Sequence, residues 1–201
     1  MSKQSARKSV KPRTRIAAFI GECVIRYHRT HSLTFARGAT LRLGKTRCSG
    51  WCDDTNIKVA TGSDFTHWLG VLAHESCHAD QIRQDRKWFK LADQGLACLD
   101  AWLQGGKAVR VRKATLQSIR LEHDCEARSI AKIRRHKLPI NLVEYTQKAN
   151  AYLLGYHVTL RERKWCFRAY RDKAIWGKMP TRLLPLNEVL KPKAELLSLF
   201  A

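Results

Sequence analysis

In this chain of 201 residues, two histidines and a few glutamates have the types and spacing that could do chemistry. His74 and His78 bracket Glu75 in the run His74-Glu75-Ser76-Cys77-His78, and on an α-helix residues four apart lie on one face. Their imidazoles can converge on one metal ion with Glu75 beside them, which is the HExxH zinc-binding pattern. Zn2+ held by two histidines and a carboxylate keeps a fourth position for water and lowers the pKa of that water toward about 7. Glu75 can take the proton and return it to a leaving amine, so amide hydrolysis is the reaction best suited to the set.

The third ligand has to come from elsewhere. Position 84, where a third histidine would complete a longer pattern, is Gln84, which leaves the glutamates. Residues 108–136 read as a helix on which Ile119, Ile130 and Ile133 fall within an arc of about 60 degrees, and Glu126 falls inside it. A carboxylate in an apolar stripe needs a compensating charge, and a metal ion is the strongest one. Glu126 is therefore the expected third ligand. Glu122, one turn earlier, would then hold a histidine ring in its tautomer, although the reverse assignment is also workable. The plain structural alternative is an arginine partner for Glu126. On the following helix, Tyr152, Tyr156 and His157 are candidates for donating to a developing oxyanion.

These groups need elements to position them. The apolar positions Ile16, Phe19, Ile20, Cys23, Val24 and Tyr27 predict a first amphipathic helix over 14–31. Alternation at Leu33, Phe35, Leu41 and Leu43, and again over 56–61, predicts two or three short strands. Residues 57–60 are the expected edge strand, on which an extended peptide could add. Gly62-Ser63-Asp64 supplies a cap for the helix carrying His74 and His78, expected over 65–85. One or two short helices should follow over 88–103, then 108–136, a long helix over 142–163, and irregular packing followed by a short terminal helix or arm over 164–201. Residues 1–14 read as a basic disordered arm and 15–201 as one domain.

With 38 Lys and Arg against 17 Asp and Glu, the formal charge of +21 attracts polyanions, so nucleic acid is an expected partner beside a peptide substrate. Seven singly scattered cysteines fit reduced thiols, and the spacing of Cys48 and Cys52 lacks the second pair of a structural zinc site. No run reaches the length of a membrane span, and Glu22 and Arg26 interrupt the one apolar stretch near the start. A cytoplasmic protein is expected.

HESCH followed by Ala79-Asp80-Gln81, then LEHDCEARSIAKI and NAYLLGYH with RKW, resembles a family of zinc metallopeptidases found in phage and prophage genomes. The likeness covers roughly residues 50–166. Glu126-Ala127 with Ile130-Ala131 is more loosely similar to the motif carrying the third ligand of glutamate zincins, with Arg128 where that motif has asparagine. The resemblance implies a zinc-dependent, peptidase-like fold and no particular substrate. The expectation is an α+β, mainly α-helical protein with a zincin-like core and a small antiparallel sheet beside the HExxH helix. A competing expectation is a basic nucleic-acid-associated protein in which the zinc site is structural or vestigial, with Glu75 idle.

Overall fold

The computed structural model describes residues 12–43, 46–107 and 109–201. Most of the expected arm, residues 1–11, lies outside the described residues, whereas residues 12–14 already belong to the first helix. Helix accounts for 64% of the structure and the strands form a small mixed sheet, so the class is α+β with helix dominant.

Five long or mid-length elements build the frame: α1 (Pro12–Tyr27), α2 (Phe65–Gln84), α3 (Arg86–Leu103), α4 (Val111–His136) and α5 (Leu142–Glu162). The strands are β1 (Ser32–Ala36), β2 (Leu41–Leu43), β3 (Thr46–Cys48), β4 (Gly50–Cys52) and β5 (Asn56–Ala60). Four short helices, α6 (Arg168–Arg171), α7 (Lys173–Trp176), α8 (Leu186–Leu190) and α9 (Ala194–Ser198), close the chain.

The sheet corrects two expectations. Its order is β1-β5-β4, with β1 parallel to β5 and β4 antiparallel to it, so it is mixed rather than antiparallel. Residues 57–60 therefore lie in the central strand and offer no edge. Ile57 and Val59 are wholly buried because β5 packs against α2, where they join Leu69 and Leu72 in one apolar cluster. The strands with an outer edge unpaired among the described residues are β1 and β4, of which β4 crosses α2. A separate hairpin pairs β2 with β3.

The helix α2 starts where Asp64 accepts hydrogen bonds from the backbone N–H groups of Thr66 (2.9 Å) and His67 (3.2 Å), a side-chain cap for otherwise unpaired donors. From Leu69 to Ile82 nearly every residue is buried, because β4 and β5 cover one face and α4 another. Small residues at Gly70, Ala73, Ser76, Cys77 and Ala79 let those neighbours come close. The stretch 88–103 belongs to a single helix, α3, whose N-cap is Asp85, accepting from the Trp88 N–H at 2.9 Å. Gly95 brings α3 against α4: a Cβ there would overlap the carbonyl oxygen of Ala114, and Ser118 Oγ donates to the Ala92 carbonyl at 2.9 Å. On the other flank Lys132 Nζ reaches Ser76 Oγ (2.7 Å) and Asp80 Oδ2 (3.2 Å), while Arg26 of α1 holds the other oxygen of Asp80 at 3.0 Å. These contacts set the rotation of α4 and thereby decide which of its glutamates faces α2.

Two apolar clusters flank this frame. One lies between α1, the sheet and α2; the other joins α5 to the C-terminal helices, with Phe200 fully buried in it. No helix of the described residues is long and apolar enough to cross a membrane.

Candidate metal centre

His74 and His78 stand side by side on α2 with their Nε2 atoms 3.1 Å apart. The carboxylate that meets them is that of Glu122 on α4, whose Oε2 lies 3.5 Å from His74 Nε2 and 3.7 Å from His78 Nε2. Ligand atoms at two corners of a tetrahedral zinc site are about 3.4 Å apart when the bonds are about 2.1 Å. The three observed separations bracket that value.

Both histidine tautomers are fixed from behind. Gln81, fully buried one turn beyond His78, donates its amide nitrogen to the Leu121 carbonyl (2.9 Å) and to Asp124 Oδ2 (2.7 Å). Its oxygen is thereby turned to His78 Nδ1 at 2.8 Å, so Nδ1 carries the hydrogen and donates it. Asp124 is held in turn by Arg128 Nε at 2.6 Å. Glu126 Oε1 sits 3.2 Å from His74 Nδ1, where it accepts from that nitrogen. With each ring anchored through Nδ1, both Nε2 lone pairs and Glu122 Oε2 face one point.

Two imidazole nitrogens and a carboxylate oxygen this close need a positive charge between them, which a proton on a histidine or a bound metal ion would supply. Glu122 Oε2 is buried with no hydrogen-bond partner, as is Glu126 Oε2. Among the described residues the ion pairs of these two glutamates run to the histidines and not to an arginine. The electrostatics have the same sense. Burial alone would lower the His74 pKa, yet Glu126, Glu122 and Glu75 push it up to about 10. Burial opposes ionisation of Glu122, but His78 and His74 bring its carboxyl below the usual range.

Glu75, adjacent to His74, points at the sheet. Its carboxylate lies so near β4 that a Cβ built on Gly50 would overlap Glu75 Oε1 and Val71 Cγ1. Glycine is thus required where this edge strand crosses α2. Burial raises the Glu75 pKa against the opposing pull of the two histidines, which moves it toward the range of a base working near neutrality.

Cys125 completes a group with His74 and His78 whose ligand atoms lie within 4.8 Å of one another, and this group could hold a metal ion. Its sulfur is on the Nδ1 side of His74 (3.6 Å), and its thiol donates to the His74 carbonyl at 3.3 Å. Burial pushes the Cys125 thiol well above its usual pKa, which disfavours the thiolate a metal would need. All seven cysteines are free.

The tyrosine candidates form a pair, Tyr152 OH to Tyr156 OH at 2.9 Å. Burial raises both pKa values, with Glu122 the next contributor in each case. His157 faces elsewhere and bonds through Nε2 to the Val189 carbonyl of α8 at 2.8 Å. Burial first, and then Glu126 and Cys125, push the phenol of Tyr145 up. Gln81 is a participant that spacing alone did not single out. Its signal was a long amide three residues after His78 on the same helical face.

Comparison with protein-family models, with curated proteins and with solved structures finds no match in any of the three.

Proposed function

We propose that the chain is a zinc-dependent peptidase in which His74, His78 and Glu122 hold the metal and Glu75 is the general base. The observation that carries this reading is the convergence of His74 Nε2, His78 Nε2 and the unpartnered Glu122 Oε2 within 3.7 Å of one another. On this reading Glu122 is the ligand, the alternative assignment open from the sequence, and Glu126 orients His74.

Zinc bound there would polarise a scissile carbonyl and lower the pKa of water at the open position. Glu75, buried and raised in pKa, accepts a proton from that water and passes it to the departing amine. Gln81 and Glu126 keep both imidazoles in the tautomer that presents Nε2. The outer edge of β4, which crosses directly over Glu75, offers main-chain groups to an extended peptide. Tyr152, half-buried and hydrogen-bonded to Tyr156, is the candidate donor to a developing oxyanion on this reading.

The test is elemental analysis of the dialysed protein together with cleavage of an unfolded protein substrate. About one zinc per chain, kept in Glu75→Gln and Cys125→Ala but lost in Glu122→Ala, with cleavage absent from Glu75→Gln, is the expected pattern. Zinc retained in Glu122→Ala and lost in Cys125→Ala would move the ligand set to the cysteine. Every activity surviving in Glu75→Gln would leave only a structural metal.

A further inference from the structure

The turn from α5 into α6 and α7 is a strongly basic part of the described surface that the metal centre does not use. Residues 161–173 carry six basic side chains against two acidic ones, and all six basic side chains are exposed. Arg161 and Arg168 share Glu162, whereas Arg163, Lys164, Arg171 and Lys173 have no acidic partner among the described residues. Asp172, the second acid, is engaged as the cap of α7, accepting from the Ala174 N–H at 2.8 Å.

Aromatic rings are interleaved with these cations. Phe167 is 38% exposed, and Trp165 and Tyr170 beside it are half-buried. The Arg171 guanidinium lies over Phe167 at 5.1 Å and over Tyr170 at 5.8 Å, and Trp165 is 6.5 Å from Phe167. Arg163 covers Trp102 at 5.0 Å and bonds to the Gly106 carbonyl at 3.3 Å, which ties the α3–α4 connection, with exposed Lys107 and Arg110, to the same end of the molecule.

Unpaired cations alone would suit any polyanion. Rings presented among them suit a chain whose every unit carries both a phosphate and a flat face, as single-stranded nucleic acid does. An acidic polypeptide has no use for an exposed Phe167, and a duplex hides its faces. We infer that this surface, centred on Phe167, Arg171 and Lys164, binds single-stranded nucleic acid by base stacking on the ring–guanidinium platform and phosphate contact with the surrounding cations. The inference does not rest on the metal reading. The residues it uses lie outside the ligand set, and Glu75→Gln should bind unchanged.

The experiment is fluorescence anisotropy of a labelled oligothymidylate titrated with the full-length protein at several salt concentrations. Phe167→Ala, Lys164→Ala and Arg171→Ala are compared with Arg13→Ala/Arg15→Ala on α1, all sites being at least partly exposed so that folding is preserved and can be checked by circular dichroism. Phe167→Ala should weaken binding about tenfold without changing the salt dependence, because it removes stacking and no charge. Lys164→Ala should flatten the slope of log K against log salt by about 0.7, the release expected for one phosphate on a single strand. Arg171→Ala should show both effects. The α1 variant should lose less affinity than any of the three.

Any of four results would overturn the inference: affinity unchanged in Phe167→Ala, equal affinity for the matching duplex, polyglutamate bound as tightly with the same sensitivity to Phe167→Ala, or an equal loss in the α1 variant. The third would assign the surface to an acidic protein. The fourth would reduce it to diffuse charge.

Discussion

The amide nitrogen of Gln81 is committed to two oxygens of α4, so its oxygen takes the proton on Nδ1 of His78 at 2.8 Å. One buried side chain thus joins the two helices of the centre and dictates which nitrogen His78 presents. Gln81→Ala should cost about 1–3 kcal/mol of stability through the buried groups it leaves unpaired, and about 10- to 100-fold in metal affinity. Gln81→Glu should bind metal better than Gln81→Ala yet be less stable, since it keeps the acceptor for His78 but sets a carboxylate against the Leu121 carbonyl and Asp124. Urea unfolding and competition with a chromophoric chelator measure the two quantities.

Gly50→Ala tests the crossing of β4 over α2. The added methyl overlaps Glu75 and Val71, so a loss of about 1–3 kcal/mol is expected from overpacking. Because the displaced group is the proposed base and not a ligand, cleavage should fall much more than zinc content. Equal losses in both would separate Gly50 from the chemistry.

How far the centre was legible in sequence depends on what faces what. The pair His74 and His78 and the cap Asp64 are local features, and the helix α2 begins where they place it. The choice between Glu122 and Glu126 is tertiary. The isoleucines of α4 suggested a buried arc through Glu126, but the face that meets α2 and α3 is lined by small polar residues, with Thr115, Ser118, Cys125 and Ser129 all buried. Their arc is centred near Glu122, about 40 degrees round from Glu126. Hydrophobicity could not see a contact made of serine, threonine and cysteine. Strand order was hidden for a different reason: β1 and β5 pair in parallel across a separation in sequence that no local pattern records.

Asp53 should give the turn between β4 and β5 a pH dependence. Burial would raise its pKa, but hydrogen bonds from the Thr55 N–H, the Trp51 indole and Asn56 outweigh it and bring the value down to about 2. With the folded value below the ordinary aspartate value of 3.8, its contribution is fully present above that pH and disappears as pH falls through about 2. Asp53→Asn should therefore narrow the stability gap between near-neutral and strongly acidic solution relative to wild type. Denaturant unfolding of both proteins at the two pH values measures the difference, and parallel curves would refute it.

Arg163 occupies the left-handed position after α5, with φ of 49°, where glycine is normally preferred. It bonds to the Trp102 and Gly106 carbonyls and covers the Trp102 ring. Arg163→Ala keeps the backbone cost and loses every contact, whereas Arg163→Gly also relieves that cost. Arg163→Ala should consequently be the less stable of the two by about 1 kcal/mol, read from thermal or urea midpoints.

The burial of α2 on nearly all sides has a consequence for how this centre responds to its surroundings. Its backbone amides should be among the slowest in the molecule to exchange with deuterium, opening only when the whole domain opens. Metal release and global unfolding should then appear as one cooperative transition. Whatever small-scale breathing admits a substrate must come from the strand layer above the helix, and exchange there should be fast while α2 stays closed.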